Sequence, residues 1–166
     1  AELIFCADRS YMAEGAFEDF NDQEAVIILS NTNFENFLMS NDMTRLNTRF
    51  IGLPENLVLT EQSLNKNLLA KEAFELGLIT FIFDDIDWDD EIRLFLEERS
   101  SFSPDSMVGL EANLRFPGQE TMETKIFGRL SAWQNWIFQR PSAVGENGAL
   151  KKYGTGNKGQ YTNERT

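Results

Sequence analysis

Two patterns of apolar and polar positions divide the chain. The first half holds short apolar runs separated by polar stretches without a period. The opening AELIFCADRSYM suits a short buried helix over residues 2–7 that gives way to a strand near residues 9–12. Residues 25–29, AVIIL, form an apolar run of strand length. Residues 12–24 and 31–43 mix acids, amides and aromatics without periodicity and read as surface loop and irregular chain. Asp42 or Asn41 is positioned to cap a helix over residues 43–50, with Gly52 and Pro54 closing it. Residues 69–78, LAKEAFELGL, predict a helix that stops at Gly77, and residues 79–83, ITFIF, predict a strand.

From Asp84 onward helical spacing takes over. Asp87 is placed to cap a first helix whose stripe is Trp88, Ile92, Phe95 and Leu96, with Asp89, Asp90 and Glu91 at its positive end. Ser103 and Pro104 open a second helix carrying Met107, Val108, Leu110 and Leu114, closed by Phe116-Pro117-Gly118. A third spans about residues 120–139, with Met122, Ile126, Leu130, Trp133 and Ile137 on one face. Phe127, Trp136 and Phe138 widen that face, and Pro141 halts the helix after Arg140. Residues 142–166 are rich in glycine, lack a period and predict an extended tail. This divides the chain into a mixed α/β part over 1–83, a helical module over 84–140 and a basic tail over 141–166.

Composition narrows the chemistry. With 42% hydrophobic residues and 14 phenylalanines among 166 residues, a folded protein is expected. Residues 1–100 carry 7 Lys/Arg against 21 Asp/Glu, whereas residues 101–166 carry 8 against 6. An acidic body argues against nucleic-acid binding, which depends on neutralising phosphates with cations. No apolar run approaches the length of a membrane span, so no membrane partner is expected. The single cysteine, Cys6, forms no internal disulfide and suits a reducing, cytoplasmic setting. Histidine is absent, which removes the commonest general base and zinc ligand. Acid-base work therefore falls to carboxylates, Lys, Tyr or Cys.

The runs SAWQNWIFQRP (131–141) and GALKKYGTGNK (148–158), with DDIDWDDEIRLFLEERSSFSPDSMVGLEANLRF (84–116), resemble the end of the benzoyl-CoA-dihydrodiol lyases. These are ring-opening members of the crotonase (enoyl-CoA hydratase/isomerase) superfamily. The resemblance is close over residues 84–158 and looser over 2–78. The family's proteins are much longer, and the chain opens at Ala1 inside a helical pattern, so a fragment is expected. The fold implied is the latter part of a crotonase-like ββα core followed by a helical C-terminal module. The activity implied is a lyase that opens a dihydroxylated ring carried as a coenzyme A thioester and releases formate to leave a CoA-bound semialdehyde, with no metal or cofactor beyond the CoA of the substrate. An enoyl-CoA hydratase or isomerase, or an inactive piece serving only in subunit contacts, are the alternatives.

The resemblance also implies site residues. Glu2, followed by Leu3, Ala7 and Asp8, matches the segment in which the superfamily places an acid-base glutamate. Among Leu3, Ile4 and Phe5 its carboxyl is expected to be desolvated, a setting suited to a proton carrier. Counting back from Arg45 in MTRL places the family's second glutamate at Asn31, which can orient a water but not exchange a proton near neutral pH. Glu35 lies four positions on and is the other candidate. The superfamily's oxyanion-holding amides would come from upstream of Glu2. Lys151, Lys152 and Lys158 are candidates for the phosphates of an acyl-CoA substrate. The wide aromatic face implies a homo-oligomer. Residues 154–159, GTGNKG, fit the dinucleotide fingerprint in letters only, because no strand is predicted before them.

Overall fold

The computed structural model describes residues 1–18, 22–115, 118 and 120–162, in two compact units, 1–93 and 94–166. The expected closing turn at Phe116 and Pro117 lies outside the described residues.

In the first unit, helix α1 (Glu2–Phe5) leads to strand β1 (Tyr11–Ala13), which pairs in parallel with β2 (Phe81–Phe83). Tyr11 lies opposite Phe81, Met12 opposite Ile82 and Ala13 opposite Phe83. Tyr11 stacks on both phenylalanines, with ring centroids 5.3 and 6.0 Å away. Such aromatic cross-strand pairs are the stabilising unit of so short a sheet. Between the strands come α2 (Thr32–Glu35), α3 (Arg45–Arg49), α4 (Pro54–Glu61) and α5 (Ala70–Glu75). The core gathers Phe5, Met12, Ile27, Leu29, Leu46, Phe50, Leu68, Ala73, Leu78 and Ile79 around these elements.

Local chemistry explains where the elements depart from expectation. The run at residues 25–29 forms no strand: Ile27 exchanges two 2.9 Å hydrogen bonds with Leu68 in an isolated bridge, and the Leu29 carbonyl accepts from the Asn65 amide at 2.9 Å. Its side chains alternate: Ile27 and Leu29 are buried, while Val26 and Ile28 are exposed. The cap of α3 is Thr44, whose Oγ1 accepts from the Asn47 amide at 3.1 Å, rather than Asn41 or Asp42. Asp42 instead takes a left-handed conformation, and Asn41 Oδ1 accepts from the Met43 amide. Pro54 closes nothing; it opens α4, at a first-turn position where its missing N–H costs no bond. Gly77 ends α5 at φ +75°, as its place before the strand predicts.

Helix α6 (Trp88–Ser100) runs from the first unit into the second. Its start is organised by Asp84, whose Oδ1 accepts from the amides of Ile86 and Asp87. In the second unit, α7 (Pro104–Arg115) has Ser103 and Pro104 at its start, as predicted. The third predicted helix changes pitch within its span. Residues Thr124–Leu130 are π-helical, and α8 (Ser131–Ile137) follows directly. Gly109 lets α7 approach α8, for a Cβ there would lie 3.0 Å from Ile137 Cδ1. The tail is not extended throughout, contrary to expectation: it holds two single-turn helices, α9 (Pro141–Val144) and α10 (Ala149–Lys152). Pro141 starts the first of these, and Gly148 tucks against the Ala143 carbonyl, 2.6 Å from where a Cβ would sit. Among the described residues no helix is long and apolar enough to cross a membrane.

Candidate active site

Glu2 stands in the first turn of α1, and its carboxyl is gripped from two other helices. Asn33 of α2 donates from Nδ2 to Oε1 at 2.7 Å, and Arg45 of α3 donates from Nη1 to Oε2 at 3.0 Å. The carboxyl is partly buried, at 21% exposure. Its neighbours differ from those expected. Leu3 is exposed, Phe5 enters the core, and the groups meeting the carboxyl are two polar donors.

Both donors are themselves held. Asn33 is buried, and its Oδ1 accepts from the Ser30 amide at 3.0 Å, which leaves its NH2 group for Glu2. Arg45 begins α3 beside its Thr44 cap, and the same Nη1 also donates to the Phe37 carbonyl at 3.3 Å. Burial draws the Arg45 guanidinium's pKa down, but its bonds to Glu2 and to the neighbouring Cys6 thiol outweigh this and leave it raised. One turn on, Arg49 is drawn below its ordinary value by burial, and its Nε donates to the Gly77 carbonyl at 2.6 Å.

A cavity of about 620 Å³ opens in the same unit. Its walls are largely apolar and include Ile4, Met12, Phe17, Ile27 and Trp88. Phe17 and Trp88 meet edge to face, with centroids 5.8 Å apart. Helix α1 reaches the cavity through Ile4, and Glu2, Asn33 and Arg45 are not among its lining residues. Glu24 supplies the sole carboxylate among its described lining residues, with Gln23 beside it and Tyr11 as its phenol. An apolar chamber with few polar groups is the usual form of a small-molecule site.

The remaining candidates fall elsewhere. Asn31 precedes α2 with its side chain exposed, and its carbonyl accepts from the amides of Phe34 and Glu35. Glu35 is also exposed, at the end of the same helix. Lys151 and Lys152 end α10 in the second unit, and Lys158 follows on an exposed stretch. The sequence pattern did not single out Asn33, Glu24 or Arg45 as site residues. Arg45 entered only as a counting mark, although an arginine opening a helix near a proposed carboxylate is itself a signal. Glu24 stands immediately before the apolar run that walls the cavity. Nothing in the pattern marks Asn33 over the amides around it.

A second polar cluster lies in the second unit. Asp105, buried in the first turn of α7, takes a 3.0 Å bond from Arg140 Nε on Oδ1 and a short bond from Ser142 Oγ on Oδ2. Ser142 Oγ lies 2.9 Å from Ser103 Oγ, and Arg140 stacks over Trp136 at 5.0 Å. The cluster ties the start of α9 to that of α7.

No family model matches the chain. Over 160 residues, 96% of its length, it is 50% identical to a benzoyl-CoA-dihydrodiol lyase of Aromatoleum evansii. The match is to the C-terminal part of that lyase. The chain spans 28% of the length of this curated relative. A match over 96% of the chain takes in the greater part of both units.

Proposed function

We propose that the chain is the C-terminal part of a lyase that opens the ring of 2,3-dihydro-2,3-dihydroxybenzoyl-CoA. One water is consumed, one ring carbon leaves as formate, and a CoA-bound aliphatic semialdehyde remains, a step suited to aerobic benzoate breakdown. The match over 96% of the chain to a benzoyl-CoA-dihydrodiol lyase carries this reading. The mixed helix and parallel-strand unit is compatible with the latter part of a crotonase-like core.

Proton transfer falls to Glu2. The second carboxylate is Glu24, because it is the acid that faces a chamber large enough for a ring and its thioester. Asn31 keeps at most the orienting of a water. Coenzyme A is part of the substrate, and Lys151, Lys152 and Lys158 are the cations available to its phosphates. The exposed apolar side chains of Met122, Phe127 and Leu130 favour self-association, and the single exposed thiol, Cys6, suits a cytoplasmic location.

The test is formate release from the dihydrodiol thioester by the full-length protein carrying Glu2→Gln or Glu24→Gln. Each is expected to lower turnover about a hundredfold or more, the range of a lost general acid or base. Wild-type turnover in Glu2→Gln removes Glu2 from the reaction, and absence of formate from the wild type removes the reading itself.

A further inference from the structure

We infer that Asn33 and Arg45 are positioning residues that hold Glu2 as a proton acceptor of fixed orientation. The inference rests on the reading that Glu2 transfers a proton. Its basis is the assignment of one donor to each carboxylate oxygen, from two different helices. A carboxyl on a single-turn helix has three side-chain torsions to settle and little local structure to settle them. Two donors that converge on it, one on each oxygen, fix the plane of the group. Each oxygen keeps a further lone pair for an incoming proton.

Asn33 fits this role because its amide has one possible direction. The Ser30 amide donates to Oδ1, so Nδ2 is the end presented to Glu2. Asn33 as a residue is 96% buried, so its side chain is held by the fold itself. Arg45 contributes the charge. Its guanidinium pairs with Oε2 at 3.0 Å, a charge-assisted bond stronger than a neutral one. Preorganisation of this kind matters in rate: a misplacement of about 1 Å can cost a hundredfold.

Four variants of the full-length protein test it beside Glu2→Gln. Asn33→Asp keeps the shape and the bond from Ser30 but replaces the donor by an acceptor facing Glu2. Arg45→Gln removes the charge, and Arg45→Lys restores it without the planar fork. Arg49→Gln is the control, because it breaks the bond to the Gly77 carbonyl and does not touch Glu2. Asn33→Asp and Arg45→Gln are expected to lower kcat at least tenfold with KM within twofold of wild type. Arg45→Lys should recover part of the loss, and Arg49→Gln should keep kcat even where its melting temperature falls as far. Loss of kcat that tracks melting temperature across all four, or a rise in KM at constant kcat, overturns the inference. If Glu2→Gln is inactive while Asn33→Asp and Arg45→Gln turn over normally, the inference fails and the lyase reading stands. If Glu2→Gln is fully active, the assignment of Glu2 fails and this inference with it.

Discussion

At the scale of the residue, the structure turns on side chains that have one acceptable occupant. Gly77 combines φ +75° with a Cβ direction 3.2 Å from the Phe50 ring, so an added methyl meets both backbone strain and the core. Gly77→Ala is expected to destabilise the first unit by about 1–3 kcal/mol, measurable as a lower urea midpoint at unchanged m-value. Asp105 is the counterpart in the second unit, at 4% exposure with one partner on each oxygen. Arg140→Ala would leave a buried carboxylate short of its cation. Because Arg140 itself is one-third exposed, the expected loss is about 2–3 kcal/mol, below that of a fully buried pair. Arg140→Lys, which keeps charge but not the Nε–H geometry, should lose less in the same melt. Glu2 shows the limit of reading residues singly. Its neighbours in sequence are apolar, and the groups that meet it come from 31 and 43 positions away.

At the scale of the element, what could be read from the sequence was whatever local chemistry decides. The helix stop at Gly77, the proline start of α7 and the strand at residues 81–83 each depend on a few adjacent residues, and each stands where the pattern put it. Elements set by distant partners were not readable. Helix α2 is one turn of polar residues, and Asn33 within it answers to Glu2 rather than to any periodicity. By sequence alone Pro54 reads as the end of α3, whereas it begins α4, because proline serves equally as a stop and as a first-turn residue. The tail's short helices escaped for a related reason: four-residue helices show no period, and α9 depends on a proline start and the Ser142 bond to Asp105. For the proposed site, family likeness names Glu2 as a candidate but not the groups that hold it, since spacing along the chain carries no record of which amide faces which carboxyl.

At the scale of the whole molecule, both units leave part of their apolar surface open. The first encloses Leu29, Leu46, Ala73 and Leu78 completely but exposes Leu3, Phe37 and Ile86. The second leaves Met122, Phe127 and Leu130 largely open, at 70, 73 and 54% exposure. Burying such side chains against a partner is worth roughly 25 cal/mol per Å² of apolar area removed from water. Association through this face is expected to disappear in Phe127→Lys. Light scattering at micromolar concentration should then report a smaller species, with the melting temperature of the dissociated protein unchanged, since Phe127 packs little within its own unit. A wild-type protein that is monomeric under the same conditions would remove the homo-oligomer from the proposal.

The wide-pitch stretch at Thr124–Leu130 has a consequence for how this helix can vary. Within it the Ser131 amide reaches back five residues to the Ile126 carbonyl, so the coil stores about one residue beyond what an α-helix of equal rise requires. Stripes counted in threes and fours therefore slip as they cross it, which leaves Phe127 bare while Trp133 is half-covered. That surplus makes the segment a place where a one-residue deletion can be absorbed by tightening the winding. The neighbouring α7, pinned at Gly109 against Ile137, has no such slack to give up.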